Sequence, residues 1–150
     1  MRYVCVINRQ RRLRVSRQAL MRLAAMVLDA HGVAPSRGVT IMLVSDAAIR
    51  AYNARFLGHD TPTDVISFAD DRADSVGDVI ISTERAADYS AHHAIPLPDE
   101  LARYAIHGVL HCLGYDDTVP AARRAMRARQ ESLLRRWRRC NEPVCQSIVP

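Results

Sequence analysis

The chain has 150 residues, 49% apolar and 25% charged, which excludes a disordered, collagen-like or low-complexity polypeptide and leaves length for one buried core. No run of about 18 uncharged apolar residues occurs, so no membrane helix is expected. The formal net charge is +5, which favours an anionic partner, nucleic acid first; against this, every basic residue is Arg and none is Lys, which reads as a genome-wide composition bias.

In chain order, residues 2–8 read as a strand, because Tyr3, Val4, Val6 and Ile7 favour extended backbone. Arg9, Arg11, Arg12 and Arg14 precede an apolar segment over 20–30, but Arg22 and Asp29 interrupt it. A secretory leader needs an unbroken apolar run and a small-residue cleavage site, so a cytoplasmic protein is expected. Ser16 is placed to cap a helix that runs to about His31 and ends at Gly32, with Leu20, Leu23, Ala24, Val27 and Leu28 on one side. Residues 39–44, VTIMLV, form an almost wholly apolar and therefore central strand. Ser45 and Asp46 open a second helix whose stripe includes Ile49, Tyr52 and Phe56, and Gly58 closes it. HDTP, 59–62, is a loop. Residues 63–68 and 77–82 read as two strands able to pair as a hairpin across the polar segment 70–75.

Ser82 or Thr83 caps a third helix to about His92. Pro98, followed by Asp99 and Glu100, suits the first turn of a fourth helix that stops at Gly114. Pro120 starts a last helix to about Arg139, with a frayed tail over 141–150. The order β-α-β-α-β-β-α-α-α implies an α+β protein, one mixed sheet of about four strands with helices packed on it. Nothing reads as a linker, so residues 1–150 form a single domain. Cys5, Cys112, Cys140 and Cys145 match neither a zinc ribbon nor a redox CxxC. Free thiols are expected, with Cys112 acting as a small buried apolar residue.

The chemistry-bearing segment is HGVLHCLGYDD, 107–117. His107 and His111 lie four residues apart on a helix, which stacks both rings on one face within reach of one ion. Alone, an HxxxH pair is a weak signal, since one ring can be a hydrogen-bonded core residue and the other merely solvated. Gly114 lets the chain leave the helix, and a short reversal returns Asp116 or Asp117 toward the rings. Two imidazoles, one carboxylate and a fourth open position make a catalytic zinc arrangement. In HExxH metalloproteases a Glu follows the first His as general base; here that position is Gly108. His92 and His93 are adjacent, would diverge on a helix, and read as surface residues.

HGVLHCLGYDD resembles the H-G-x-x-H-x-x-G-Y-D-H signature of the YbeY family of bacterial endoribonucleases, also called rRNA maturation factors. TPTDVISF, 61–68, is similar to that family's P-T-D-V-L-S-F segment. VGDVIIS, 76–82, is similar to its L-G-D-I-V-I-S segment, and Asn53 and Phe56 also fit. The likeness spans roughly residues 40–135. It implies one divalent ion, zinc by family habit, held by His107, His111 and Asp117, with Asp117 where the signature has its third His. It also implies hydrolysis of single-stranded RNA, in maturation of the small-subunit ribosomal RNA 3′ end and ribosome quality control, in the cytoplasm beside the ribosome.

Two further positions depart from the family. Leu57 stands where the family has an Arg tied to activity, and Ala69 where it has Pro. Thr63, Asp64 and Ser67 are candidate substrate-binding residues bordering the cleft, with turn and strand duties equally open to the threonines Thr61 and Thr63.

The last helix carries Arg123, Arg124, Arg127, Arg129, Arg135, Arg136, Arg138 and Arg139 opposite a stripe of Met126, Leu133 and Trp137. That face is either a phosphate-binding surface or a solvated one. Aromatic residues are only 5% of the chain and do not interleave the basic stretch, so binding by base stacking is not advertised. Three functions are weighed. The first is a metal-dependent endoribonuclease. The second is a non-catalytic RNA- or ribosome-binding factor that keeps its metal for structure, favoured by Leu57. The third is a small metallopeptidase, opposed by Gly108.

Overall fold

The structure, a computed structural model, describes residues 2–58 and 63–147. Among them, four strands and five helices follow the expected order: β1 (Val4–Asn8), α1 (Arg17–Ala30), β2 (Gly38–Val44), α2 (Asp46–Leu57), β3 (Val65–Ala69), β4 (Ser75–Ser82), α3 (Thr83–His93), α4 (Leu97–Cys112) and α5 (Pro120–Arg138). The loop expected at 59–62 lies outside the described residues. Ser16, Ser45 and Ser82 cap α1, α2 and α3, each side chain accepting a backbone N–H three residues on. No helix is long and apolar enough to cross a membrane among the described residues.

The sheet runs β1-β2-β4-β3. β1–β2 and β2–β4 pair in parallel and β3–β4 pair antiparallel, so the sheet is mixed. The expected hairpin forms, and β3 is an edge strand. Strand alternation then divides the side chains between two faces. Val39, Ile41, Leu43, Val79 and Ile81 join Val4, Val6, α1 and α4 in the larger core. Val44, Ile66 and Ile80 join Ile49 of α2 in a smaller one.

α4 is the pivot of the fold, packing on α1, α3, α5, β3 and β4. Its close approach to the sheet dictates Gly108, because a Cβ there would sit 2.3 Å from Val79 Cγ1. Leu101, Ile106 and Leu110 of the same helix have no solvent exposure. Truncating any one to Ala costs about 2–5 kcal/mol by lost transfer energy and the cavity left behind.

The frayed C-terminal tail is corrected over its described part. Val15 and Cys145 form an isolated antiparallel bridge. Ser16 N–H donates to Val144 O at 2.7 Å, and Gln146 N–H to Arg14 O at 3.1 Å. Val144 and Cys145 are buried. Two apolar side chains in a polar terminus were the signal for this docking, and their burial is what holds the tail. β3 also starts later than the expected residue 63, because the Asp64 carboxylate accepts the Val65 N–H at 2.8 Å and caps the strand.

Candidate metal centre

His107 and His111 project from the last turns of α4. The helix ends at Cys112, and Gly114, at φ +97°, takes the positive-φ step that turns the chain back. The reversal brings Asp117 to the rings: its Oδ2 lies 3.4 Å from His111 Nε2 and 3.8 Å from His107 Nε2. The two Nε2 atoms are 3.1 Å apart. Asp116 points elsewhere, its carboxylate accepting the Thr118 hydroxyl at 2.7 Å and the Thr118 N–H at 2.9 Å. Those bonds from Thr118 hold the Asp116 carboxyl below the usual carboxylate range.

Hydrogen bonds fix both rings. His111 Nδ1 lies 3.0 Å from the carbonyl oxygen of Tyr115. A carbonyl only accepts, so Nδ1 donates, and the neutral tautomer with that bond has its lone pair at Nε2. His107 Nδ1 lies 2.8 Å from Gln130 Oε1. The Gln130 amide is oriented in turn, its Nε2 donating to Glu131 Oε2 at 3.2 Å, so its oxygen faces His107. Both imidazoles therefore turn Nε2, the ligating atom of that tautomer, to the same point as the carboxylate.

Three bare acceptors facing one another repel unless a cation sits among them. Around an ion with metal–nitrogen bonds of about 2.0–2.1 Å, tetrahedral ligands lie about 3.4 Å apart. The separations of 3.1, 3.4 and 3.8 Å bracket that value. His107, His111 and Asp117 are also the one group of such donors, among the described residues, able to hold a metal ion together. The donor set fits a divalent cation.

These residues open into a cleft of about 420 Å³, also lined by Leu57, Thr63, Asp64, Ser67 and Ala69. The sequence-predicted residues thus come together, with distinct local duties. Ser67 Oγ donates to the Gly108 carbonyl at 3.1 Å and ties β3 to α4. Asp64 caps β3 and also accepts the Thr63 hydroxyl at 3.4 Å. Leu57 is 48% exposed at the C-terminus of α2. Gly108 cannot be exchanged for the Glu of an HExxH protease without displacing Val79.

Cys112 lies beside the centre without joining it. Burial pushes its thiol up to about 12, and it packs over Gly77. All four cysteines are free, as expected.

Several supporting residues were not read from the sequence. Gln130 is buried on the apolar stripe of α5 between Met126 and Leu134. A polar residue in a core position was its available signal. Behind it, Glu131 accepts from Arg103 Nε and Nη2 at 2.9 and 3.0 Å, and Arg103 also donates to Glu100. His31, read only as a helix end, sits 3.0 Å by its Nε2 from the Tyr115 hydroxyl, with the two rings edge to face.

A family model for endoribonuclease YbeY matches residues 5–138. The endoribonuclease YbeY of Moorella thermoacetica is 40% identical over 128 residues, covering 77% of this chain and 82% of that protein. Its counterpart from Chloroflexus aggregans is 37% identical over 134 residues, covering 81% and 88%. The solution structure of TM1509 from Thermotoga maritima shares the fold, with a TM-score of 0.61, 22% identity, and coverage of 91% of this chain and 92% of that one. On the length and identity of these matches, the chain belongs to the YbeY endoribonuclease family.

Proposed function

We propose that this protein is a metal-dependent endoribonuclease that cleaves single-stranded RNA and acts in maturation of the small-subunit ribosomal RNA 3′ end, in the cytoplasm and at the ribosome. One observation carries the reading: a chain matched along most of its length by endoribonucleases brings two imidazole Nε2 atoms and a carboxylate to one point in an open cleft. His107, His111 and Asp117 would hold the ion, and zinc suits their donor types. When bound, such an ion supplies Lewis acidity toward a phosphate oxygen and lowers the pKa of water. The protein's own groups orient the ligands, through Gln130 and the Tyr115 carbonyl, and shape the cleft with Thr63, Asp64 and Ser67. The exposed arginines of α5, such as Arg124, Arg127 and Arg135, add a positive field that draws in polyanions.

The metallopeptidase alternative lacks its general base, because Gly108 is held against Val79. The non-catalytic alternative draws on Leu57, which removes a guanidinium that could clamp phosphate. Leu57 lines the same cleft as the metal ligands, so the substitution weakens phosphate handling in place. The test uses purified protein, metal-loaded and metal-stripped, on single-stranded RNA, duplex RNA and casein. Metal-dependent cleavage of the single strand is expected, rising in Leu57→Arg. Casein hydrolysis with intact RNA would overturn the assignment.

A further inference from the structure

The α2 face of the sheet carries a second opening, of about 390 Å³, within the size range of small-molecule clefts. Its floor is two registered rows of side chains. Phe68, Asp78 and Thr40 stand abreast on β3, β4 and β2, and Ile80 and Met42 stand abreast behind them on β4 and β2. Its wall is Tyr52 and Phe56 of α2. Both phenylalanines of the chain are therefore here. Phe56 stacks on Tyr52 at 6.0 Å between centroids and meets Phe68 edge to face at 5.9 Å. Yet Phe56 remains 52% exposed, and the Arg55 guanidinium lies 5.2 Å from its centroid.

We propose that this aromatic pocket is a nucleobase-binding subsite for a single-stranded RNA whose backbone crosses the metal cleft. The inference rests on the nuclease reading above. Continuity carries it. Phe56 lines the pocket and its neighbour Leu57 lines the metal cleft; Phe68 lines the pocket while Ser67 and Ala69, on either side, line the cleft. Among the described residues, the two openings flank the edge strand β3, so a nucleotide chain passing over that edge sets a phosphate at the ligand trio and a base against Phe56. Exposed aromatic faces are what unstacked bases bind. The Arg55 guanidinium lies over the Phe56 ring, and a base that takes that face leaves this exposed side chain to the ribose-phosphate beside it. Asp78 repels phosphate but accepts from an exocyclic amine, as cytosine offers at N4, where uracil offers only an acceptor oxygen. The few aromatics of this chain thus serve base stacking through their position, not their number.

The test measures the affinity of metal-loaded protein for fluorescein-labelled 2′-O-methyl oligomers of cytidine, of uridine, and of abasic sites, alongside cleavage of unmodified single-stranded RNA. Phe56→Ala is expected to weaken binding of the cytidine oligomer about 5- to 100-fold and to leave the abasic oligomer unchanged. Phe56→Trp should retain affinity, which separates stacking from misfolding. Asp78→Asn should narrow the preference for cytidine over uridine.

Equal affinities in wild type and Phe56→Ala, with RNA cleavage intact, would overturn the base pocket and leave the nuclease standing. Phe56-dependent binding without metal-dependent cleavage would overturn the nuclease and leave the pocket. Failure of both binding and cleavage removes both. A change of oligomeric state in Phe56→Ala, with oligomer affinity untouched, would assign the patch to self-association and overturn the proposal.

Discussion

The two histidines of the candidate metal centre look alike in sequence and are supported in different ways. His111 leans on a backbone carbonyl four residues ahead, in the turn that leaves its own helix. His107 leans on the Gln130 side chain, 23 positions on and in another helix, and that amide leans on Glu131 and Arg103. One support is part of the local chain path and cannot be mutated away by a side-chain change. The other is a relay of side chains that exists only because α5 packs on α4. Ligand orientation is therefore as robust as the loop on one side and as robust as a tertiary contact on the other.

The largest expected effect ignores this asymmetry. His107→Ala and His111→Ala each remove one of the three proposed ligands, and both should reduce bound metal per purified chain to near zero by elemental analysis. Unchanged metal in both variants would dissolve the centre itself. The asymmetry appears one shell out. Loss of a hydrogen-bond partner to a metal-ligating group typically costs 10- to 100-fold in affinity. Gln130→Ala should fall in that range by competitive chelator titration, and Gln130→Glu, which keeps an acceptor at that position, should recover most of the loss. If Gln130→Ala binds as tightly as wild type, the relay is packing and not support.

The same distinction explains what the sequence disclosed. The element order, the three serine caps and the HxxxH-Gly-Asp pattern are local, carried by spacing and by residues with strong conformational preferences. Spacing leaves Asp116 and Asp117 both open, and the family signature points to Asp117; the structure puts Asp117 beside the rings and has Thr118 occupy Asp116. The Gln130 relay and the His31–Tyr115 contact are long-range, spanning 23 and 84 positions, and no pattern within α1 or α5 states what each will meet. The docked tail was missed for the same reason: Val144 and Cys145 find partners at Arg14, Val15 and Ser16, at the other end of the chain. The aromatic pocket, too, is assembled from four separate elements.

A smaller effect lies further along the relay. Burial opposes ionisation of Glu131, but the hydrogen bonds from Arg103 and Gln130 outweigh it and hold its carboxyl below the usual range. Glu100, on the other side of Arg103, is pushed up by burial against the pull of that guanidinium. The signs are opposite. A depressed carboxyl contributes stability that is present above its unfolded value of 4.5 and is lost as pH falls through the folded one. A raised carboxyl loses stability as pH rises from 4.5 toward its folded value. Glu131→Gln should therefore flatten the fall of the urea midpoint below pH 4.5, by roughly 0.1–0.5 M for a partly solvated pair. Glu100→Gln should flatten the change above pH 4.5. An identical acid limb in wild type and Glu131→Gln would show that Arg103 does not hold this carboxylate.

The least effect is expected where the support is backbone. Tyr115 contributes its carbonyl to His111 and its hydroxyl to His31. The carbonyl position is set first by the chain: Tyr115 N–H donates to Leu110 O at 3.1 Å and Gly114 N–H to His111 O at 3.0 Å, and these bonds survive any side-chain substitution. The hydroxyl acts at one remove. His31 is itself held, its Nδ1 2.7 Å from Val27 O, so it gives the tyrosine a fixed partner and restrains the loop from its far end. Tyr115→Phe keeps the ring and its edge-to-face packing and deletes one hydrogen bond, which is worth about 0.5–1.5 kcal/mol where it forms. Only part of that bears on the carbonyl. Metal affinity should fall about two- to fivefold, well short of Gln130→Ala. A loss in Tyr115→Phe that equals or exceeds the loss in Gln130→Ala would show that the His111 side is no more robust than the His107 side, and that the loop depends on the His31 contact instead of its own backbone.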